Sequence, residues 1–444
     1  MTSIMWFRRD LRLQDQPALV EAAKHGDVLP VFIFDPKQLA GNEAVSRTYL
    51  FRSVRALNDR LDGKLCVRIG DPLELIPSLA RQVQASAVHC STDYGNFGRV
   101  RDAAAETALG DIPLIRTGSP YAVAPGRVLK GDGTPYRVYT PFYKAWLAHG
   151  WRNPAPTAKA NFITLKADAI PKDDDLGTLR LPDAGEQAAL VRWKWFRANA
   201  LADYADMRDR ADIDGTSQLS GPLRFGEIHP RTLLADLGDE RGHEVFRKEI
   251  CWREFYADVL WNAPHTATQY LDERFTRMQY DTGGRADANF EAWKSGRTGY
   301  PFVDAGMRQL LAEGWMHNRV RMVVASFLVK DLHLEWQQGA AWFAQWLRDF
   351  DLASNQHGWQ WTAGCGTDAA PYFRIFNPVT QGLRFDPDGD YVRRYIPELA
   401  HIAGKQAHEP WNVIDGYERS YAERIVDHAM ERDESLRRYD AIKG

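Results

Sequence analysis

The stretch DFDLASNQHGWQW, residues 349 to 361, gathers two carboxylates (Asp349 and Asp351), an amide (Asn355) and two indoles (Trp359 and Trp361). A segment built only to pack would do without most of these polar groups. Acceptors set among large flat rings suit a cavity that is partly apolar and that fixes a ligand by a few placed hydrogen bonds. Core aromatics flanked by helix caps and turns would give the same letters.

Three other stretches share this mixture. In WMHNRVRMVVASF, wound as a helix at about 100° per residue, Val320, Val323, Val324 and Phe327 share one face, and Trp315, Asn318, Arg319 and Met322 fall on the opposite arc. An amide, a guanidinium and a thioether together make a poor core and an odd solvent surface, but a good cavity wall. In EICWREFY, Glu249, Trp252, Arg253 and Tyr256 recur at helical spacing, a pattern that an ion-paired, half-buried helix would also give. In GTSQLSGPLRFGEIHP, the hydroxyls of Thr216, Ser217 and Ser220 stand beside Gly215 and Gly221 where a turn enters a helix. Such a start offers amides and hydroxyls to phosphate, and an ordinary N-cap reads alike.

The elements that must position these residues fall into two classes. At 444 residues the chain is long enough for two domains. Short β-rich runs (SIMWF, VLPVFIFD, KLCVRIGD, SAVHCSTDY, PLIRTG) alternate with helical patterns (QPALVEAAKHG, VSRTYLFRSVRALNDRL, PLELIPSLARQVQ, VRDAAAETAL) over residues 1–130, which predicts a Rossmann-like parallel α/β domain. WFRRDLRLQDQPAL follows the first strand in place of GxGxxG, so no dinucleotide fingerprint is present there. Residues 131–195 are rich in Pro and Asp and read as a long connector. From 196 to 444 helical periods dominate, in WFRANALADYADMRD, VFRKEICWREFYADVLW, FVDAGMRQLLAEGWMHNRVRMVVASFLVKDLHLEW and AAWFAQWLRDF, and ERIVDHAMERDESLRRYDAIKG reads as one charged helix. An all-α second domain is expected.

Composition narrows the partners. A formal charge of −3 excludes a wholesale cationic coat, so any nucleic-acid contact must be a local patch. The four cysteines are scattered without CxxC, which points to neither a metal site nor a disulfide framework and suits a reducing cytoplasm. No run of ~18 apolar residues occurs, and the N-terminal apolar run is broken by Arg8, Arg9, Asp10 and Arg12, so neither a signal peptide nor a membrane span is expected.

Taken in order, WFRRDLRLQDQPAL, GTSQLS, WREFY, TGYPFVDAGMRQLLAEGWMHNRVRM, DLASNQHGWQW and TDAAPYFRIFNP resemble the DNA photolyase/cryptochrome family over nearly the whole chain. The resemblance implies an α/β antenna domain and a helical domain holding FAD. By it, Tyr204, Thr216, Ser217, Leu219 and Ser220 hold the flavin phosphates and adjacent groups. Asp349 pairs with Arg321, Asp351 binds the ribityl chain or ring edge, and Asn355 faces flavin N5. An amide there accepts from N5–H and favours the reduced form, FADH−.

The lesion wall looks like that of class I microbial enzymes acting on cyclobutane pyrimidine dimers. Glu249, Trp252, Asn318, Arg319, Met322 and Trp361 stand at matching positions, and Arg208, Arg253, Arg319 and Arg374 are candidates for DNA phosphates. The implied reaction is light-driven electron transfer from FADH− to a flipped-out dimer. Glu249, Trp252, Met322, Asn355 and Trp361 would carry it, in a monomer acting on damaged DNA. A cryptochrome, with the same fold and flavin but no repair, is the competing function.

Trp359 and Trp336 match the inner positions of the family's tryptophan electron chain, while the outer position departs from the pattern, with Gly283 and Gly284 there. Tyr280 is the nearest aromatic in sequence, as terminal donor or as a loop residue that merely packs. For the antenna, Phe97-Gly98-Arg99 and Arg47 resemble relatives that bind 8-hydroxy-5-deazaflavin or a second flavin more than those that bind folate.

Overall fold

The five apolar runs of the first 116 residues form β1 (Thr2–Phe7), β2 (Asp27–Phe34), β3 (Cys66–Ile69), β4 (Ala85–Cys90) and β5 (Leu114–Arg116) of a parallel sheet ordered β3-β2-β1-β4-β5. The computed structural model describes residues 1–41, 43–367 and 373–443. Within TDAAPYFRIFNP, Asp368 to Tyr372 therefore lie outside the described residues. The central strands are apolar beyond their first residues because helices cover both faces. Pro17–Ala22 and Ala44–Arg60 lie over one face, and Pro72–Gln82 and Asn96–Leu109 over the other.

Strand order reverses between β1 and β4, the place where ligands of open α/β sheets usually bind. Here the protein's own side chains fill it. Arg8 bonds to Asp102 and to the Ser91 carbonyl. Asp10 accepts from Ser91 Oγ (2.6 Å) and Gln16 Nε2 (2.9 Å). The chain beyond β1 then docks onto the helical half, with Leu11 N donating to the Phe225 carbonyl (3.2 Å) and Arg12 Nη1 to that of Gly226 (3.0 Å). Gly226 has φ +69°, and a Cβ there would stand 2.1 Å from the Arg9 carbonyl oxygen, so only glycine fits this contact.

The stretch 131–195 is more ordered than its breakers suggest. Its aromatics form the helix Tyr139–His149, whose Phe142 and Trp146 enter a core with Phe255. Asn161–Phe162 adds to the sheet as β6 beside β2, and a further helix spans Glu186–Asn199. Pro141 sits in the first turn of the Tyr139 helix, where proline does no harm.

The helical half also departs from the periodic reading in its breaks. Residues 302–336 are not one helix. Gly314 ends Pro301–Glu313 in a left-handed cap, His317 opens Asn318–Ser326, and a π-helical turn follows at Phe327–Asp331. Trp315 therefore precedes the helix instead of lying on its polar arc. The charged C-terminal helix forms only over His428–Asp440, because Asp427 caps it by accepting from Ala429 N (2.9 Å) and Met430 N (3.1 Å). Among the described residues no helix is long and apolar enough to cross a membrane, and all four cysteines are buried thiols.

Candidate flavin cavity and lesion wall

Asp351 caps the helix Leu352–Ala363, accepting from Ser354 N (3.2 Å). Steps of four residues bring Asp351, Asn355 and Trp359 onto one stripe of that helix. The other Asp351 oxygen lies 2.7 Å from Arg9 Nη2, a cation supplied by the α/β domain. Burial opposes its charge, but Arg9, Arg224 and Arg253 outweigh burial and hold the carboxyl far below the usual carboxylate range.

Asp349 is buried and pairs with Arg321, Nη2 to Oδ2 at 2.8 Å. Arg321 is oriented by a second bond, from Nε to the Met316 carbonyl (2.8 Å). Burial again works against the charge, and Arg321, Ser220 and Arg348 keep Asp349 below its ordinary range. Its Oδ1 is buried with no protein partner, as is Arg9 Nε. Such orphans are costly unless a ligand satisfies them.

Asn355 Nδ2 donates to the Ala340 carbonyl (3.2 Å) and to Gln356 Oε1 (2.8 Å). Two acceptors fix which end of the amide carries nitrogen, and Oδ1 is left to accept from a ligand. In the loop before Ser220–Phe225, Arg192 binds Asp214 and the carbonyls of Thr216 and Ser217. That arrangement ties down the loop's carbonyls, and Leu219 N donates to Ser217 Oγ (3.4 Å). Gln218 takes φ +52° there, a strained value for a side-chain-bearing residue. Leu219 is buried, and Tyr204 packs edge-on against Phe196 (5.5 Å) and Phe246 (5.4 Å). Donors at one end, unpaired acceptors at the other and apolar rings between them fit a flavin dinucleotide.

A second group of residues lies on the neighbouring helix Arg241–Asn262. Glu249 pairs with Arg208, and Arg319 with Asp209 at 2.8 Å. Burial pushes the Glu249 carboxyl up against the pull of Arg208. Trp252 stacks on Tyr139, centroids 3.7 Å apart and planes within 6°. The band continues through Tyr256 (5.4 Å from Trp252) to His357 (5.8 Å from Tyr256), one helical turn before Trp361. Asn318 is exposed while Arg319 and Met322 are half-buried, and Val320, Val323, Val324 and Phe327 are core, as the arc reading requires.

The four arginines read as phosphate contacts are placed differently from one another. Arg208 and Arg319 stand paired at the wall. Arg253 instead turns inward, donating to the carbonyls of Pro120 (3.1 Å) and Leu223 (3.2 Å) and lying 4.7 Å over the Tyr121 ring. Arg374 is exposed. No sequence pattern singles out Tyr139 or Arg192. Arg9 had one signal, its position just past β1 at the carboxyl edge of the sheet.

Trp359 and Trp336 are both buried, and neither indole nitrogen has a partner. Trp359 lies edge-on to Phe343 (5.0 Å) and against Gly339, where a Cβ would stand 2.1 Å from its Cη2. Gly283 and Gly284 bring no ring near the outer position, and Tyr280 lies behind Tyr270, the ring neighbour of Trp336. In the α/β domain Arg47 forms a two-point pair with Asp174 (2.9 and 3.0 Å). Phe97 is 49% exposed, Gly98 is tight against Asp93, and Arg99 lies 4.3 Å over the Trp261 ring. Arg47 and Phe97-Gly98-Arg99 sit on helices that cover opposite faces of the sheet, each near its carboxyl edge.

Comparison with known proteins agrees with this geometry. Residues 3–160 match the family model described as DNA photolyase, and residues 246–441 match that of the FAD binding domain of DNA photolyase. A deoxyribodipyrimidine photo-lyase of Alkalihalophilus pseudofirmus is 38% identical over 97% of this chain and 96% of its own. A bacterial class III photolyase from Agrobacterium tumefaciens superposes with a TM-score of 0.90 at 36% identity, covering 100% of this chain and 98% of that one. An archaeal photolyase from Sulfolobus tokodaii, solved with two FAD molecules, gives 0.85 at 28% identity, covering 99% and 100%. With an α/β half and a helical half matched from end to end, the chain belongs to the DNA photolyase family.

Proposed function

We propose that the chain repairs cyclobutane pyrimidine dimers in DNA, using light and bound FAD. The carrying observation is that the flavin-type acceptors Asp349, Asp351 and Asn355 and the aromatic band ending beside Trp361 meet on the single helix Leu352–Ala363 and its cap. FAD, bound in its reduced form, supplies light absorption and the transferable electron.

The protein's own groups do the rest. Asn355 Oδ1 would accept a hydrogen bond from a protonated ring nitrogen of the cofactor, while Asp349 and Asp351, kept charged by Arg321 and Arg9, would fix its orientation. Trp252, Trp361 and Met322 offer apolar faces to unstacked bases, and such stacking is worth ~1–3 kcal/mol per base. Glu249, held by Arg208 and raised by burial, can donate or accept at a pyrimidine edge as charge develops there. Asn318 and Arg319 at the rim and the exposed Arg374 serve the flanking DNA backbone.

On this reading residues 1–130 bind the antenna, 131–195 join the halves and 196–444 hold flavin and DNA, in a monomer working in a reducing cytoplasm. The exposed Phe97 and Arg99 and the nearby edge of the sheet favour a flavin-like antenna, either a second flavin or 8-hydroxy-5-deazaflavin. The deciding experiment illuminates the reduced, flavin-loaded protein with an oligonucleotide bearing one dimer and separates the products by chromatography. Recovery of intact pyrimidines is expected. Flavin absorbance without recovery would make the protein a light sensor.

A further inference from the structure

The outer position of the electron chain that the resemblance implies holds Gly283 and Gly284, yet the inner pair does not end in a blank wall. Tyr270, buried in the loop beyond Arg241–Asn262, stands edge-on to Trp336 with ring centroids 6.2 Å apart at 81°. Its hydroxyl donates to Glu335 Oε1 at 3.0 Å. Glu335 is the residue just before Trp336, so the indole and the carboxylate approach one phenol together. On the far side the Tyr280 hydroxyl interacts with that of Tyr270. Tyr280 in turn lines a narrow surface cleft of about 10 Å³, room for about one water, with Met278, His333, Phe373 and Arg438.

We propose that Tyr270, with Glu335 as its proton acceptor and Tyr280 as the link to the surface cleft, forms the outer segment of the electron path. The proposal rests on the flavin reading above. Burial keeps both phenols protonated, so neither can give up an electron cheaply unless its proton leaves as well. Glu335 supplies that exit for Tyr270.

Once Trp336 has passed an electron inward through Trp359, Tyr270 refills it with one electron and moves its hydroxyl proton to Glu335. The products are a neutral tyrosyl radical and a protonated glutamate. A soluble thiol docking at the mouth of the cleft returns one electron by way of Tyr280 while Glu335 returns its proton to Tyr270. The thiol's own proton goes to solvent, and two thiyl radicals pair as a disulfide.

The test is flash illumination of the protein loaded with oxidised FAD, read by electron paramagnetic resonance and transient absorption. In protein made with ring-deuterated tyrosine the radical signal should narrow, marking it as tyrosyl. Tyr270→Phe should lose that signal and leave a short-lived tryptophanyl radical. Tyr280→Phe should keep the signal and slow its decay by thiol. Glu335→Gln, which keeps the fold's shape at that site, should slow tyrosyl formation about a hundredfold by removing the base. A tyrosyl signal surviving in Tyr270→Phe, or unchanged kinetics in Glu335→Gln, overturns the proposal. Failure of the dithionite-reduced native protein to repair dimers would refute the repair reading instead, and the radical assignment would stand.

Discussion

Gly339→Ala tests how the buried indole of Trp359 is seated. Gly339 lies one turn beyond Trp336, and an added methyl would stand 2.1 Å from Trp359 Cη2, 2.6 Å from Cζ3 and 2.5 Å from Leu328 Cδ2. Contacts of ~3.5–4.0 Å are needed, so the indole must retreat by more than 1 Å within a core that has no slack. Overpacking of this kind costs up to ~3 kcal/mol. Alanine in a helix interior returns ~1 kcal/mol relative to glycine. The net loss is therefore about 2 kcal/mol, a factor of about 30 in the folding equilibrium. Denaturant unfolding of flavin-free protein measures it directly. Light-driven reduction of the bound oxidised flavin should slow as well, although no aromatic residue has been removed. A variant more stable than the native protein with unchanged photoreduction would show that the indole does not rest on this glycine.

Glu249→Ala and Met322→His should both weaken dimer repair with flavin content unchanged, as absorbance on purified protein will check. Equal loss of flavin would place these residues at the cofactor instead of the lesion. DNA affinity should fall steeply with salt despite the net charge of −3, each phosphate contact adding about −0.9 to the log–log slope. Filter binding at several ionic strengths reads this, and a flat line would remove the basic patch. Burial pulls the imidazoles of His317 and His357 down to about 4. The unfolded chain, with imidazoles near ~6.5, takes up these protons first, so their contribution is complete above that pH and is lost as pH falls toward 4. Melting curves across that window should show the loss, and His317→Asn, which can still cap its helix, should lessen it. An identical pH profile in that variant would mean that His317 is not held neutral.

Much of this architecture can be read from local pattern. Five apolar runs gave five parallel strands, and the segment 349–361 does pair Asp349 with Arg321 as expected and sets Asp351, Asn355 and Trp359 at four-residue steps along one capped helix. The helix face at 318–327 also turns as its spacing requires. What stays hidden is long-range or negative in character. Arg9 lies 342 residues from Asp351, and periodicity carries no information about such a pair. Tyr139 sat among prolines and aspartates whose turn signals masked an aromatic helix. Arg253 has the spacing of a wall residue, yet two carbonyls and a tyrosine ring draw it inward. Gly339 matters through an atom it lacks.

The Arg9–Asp351 pair makes the two halves mutually conditional. The cofactor end of the helical half is electrostatically complete only when the first strand of the other half has folded and presented its guanidinium. Anything that binds in the cavity therefore also stabilises the sheet, and unfolding of the sheet withdraws a counter-charge from the cavity. A chimera that grafts a foreign α/β domain onto the helical half inherits this requirement. It must place a cation just past its own first strand, or the buried carboxylate will be left short of a partner and flavin retention will suffer, however well the new domain folds.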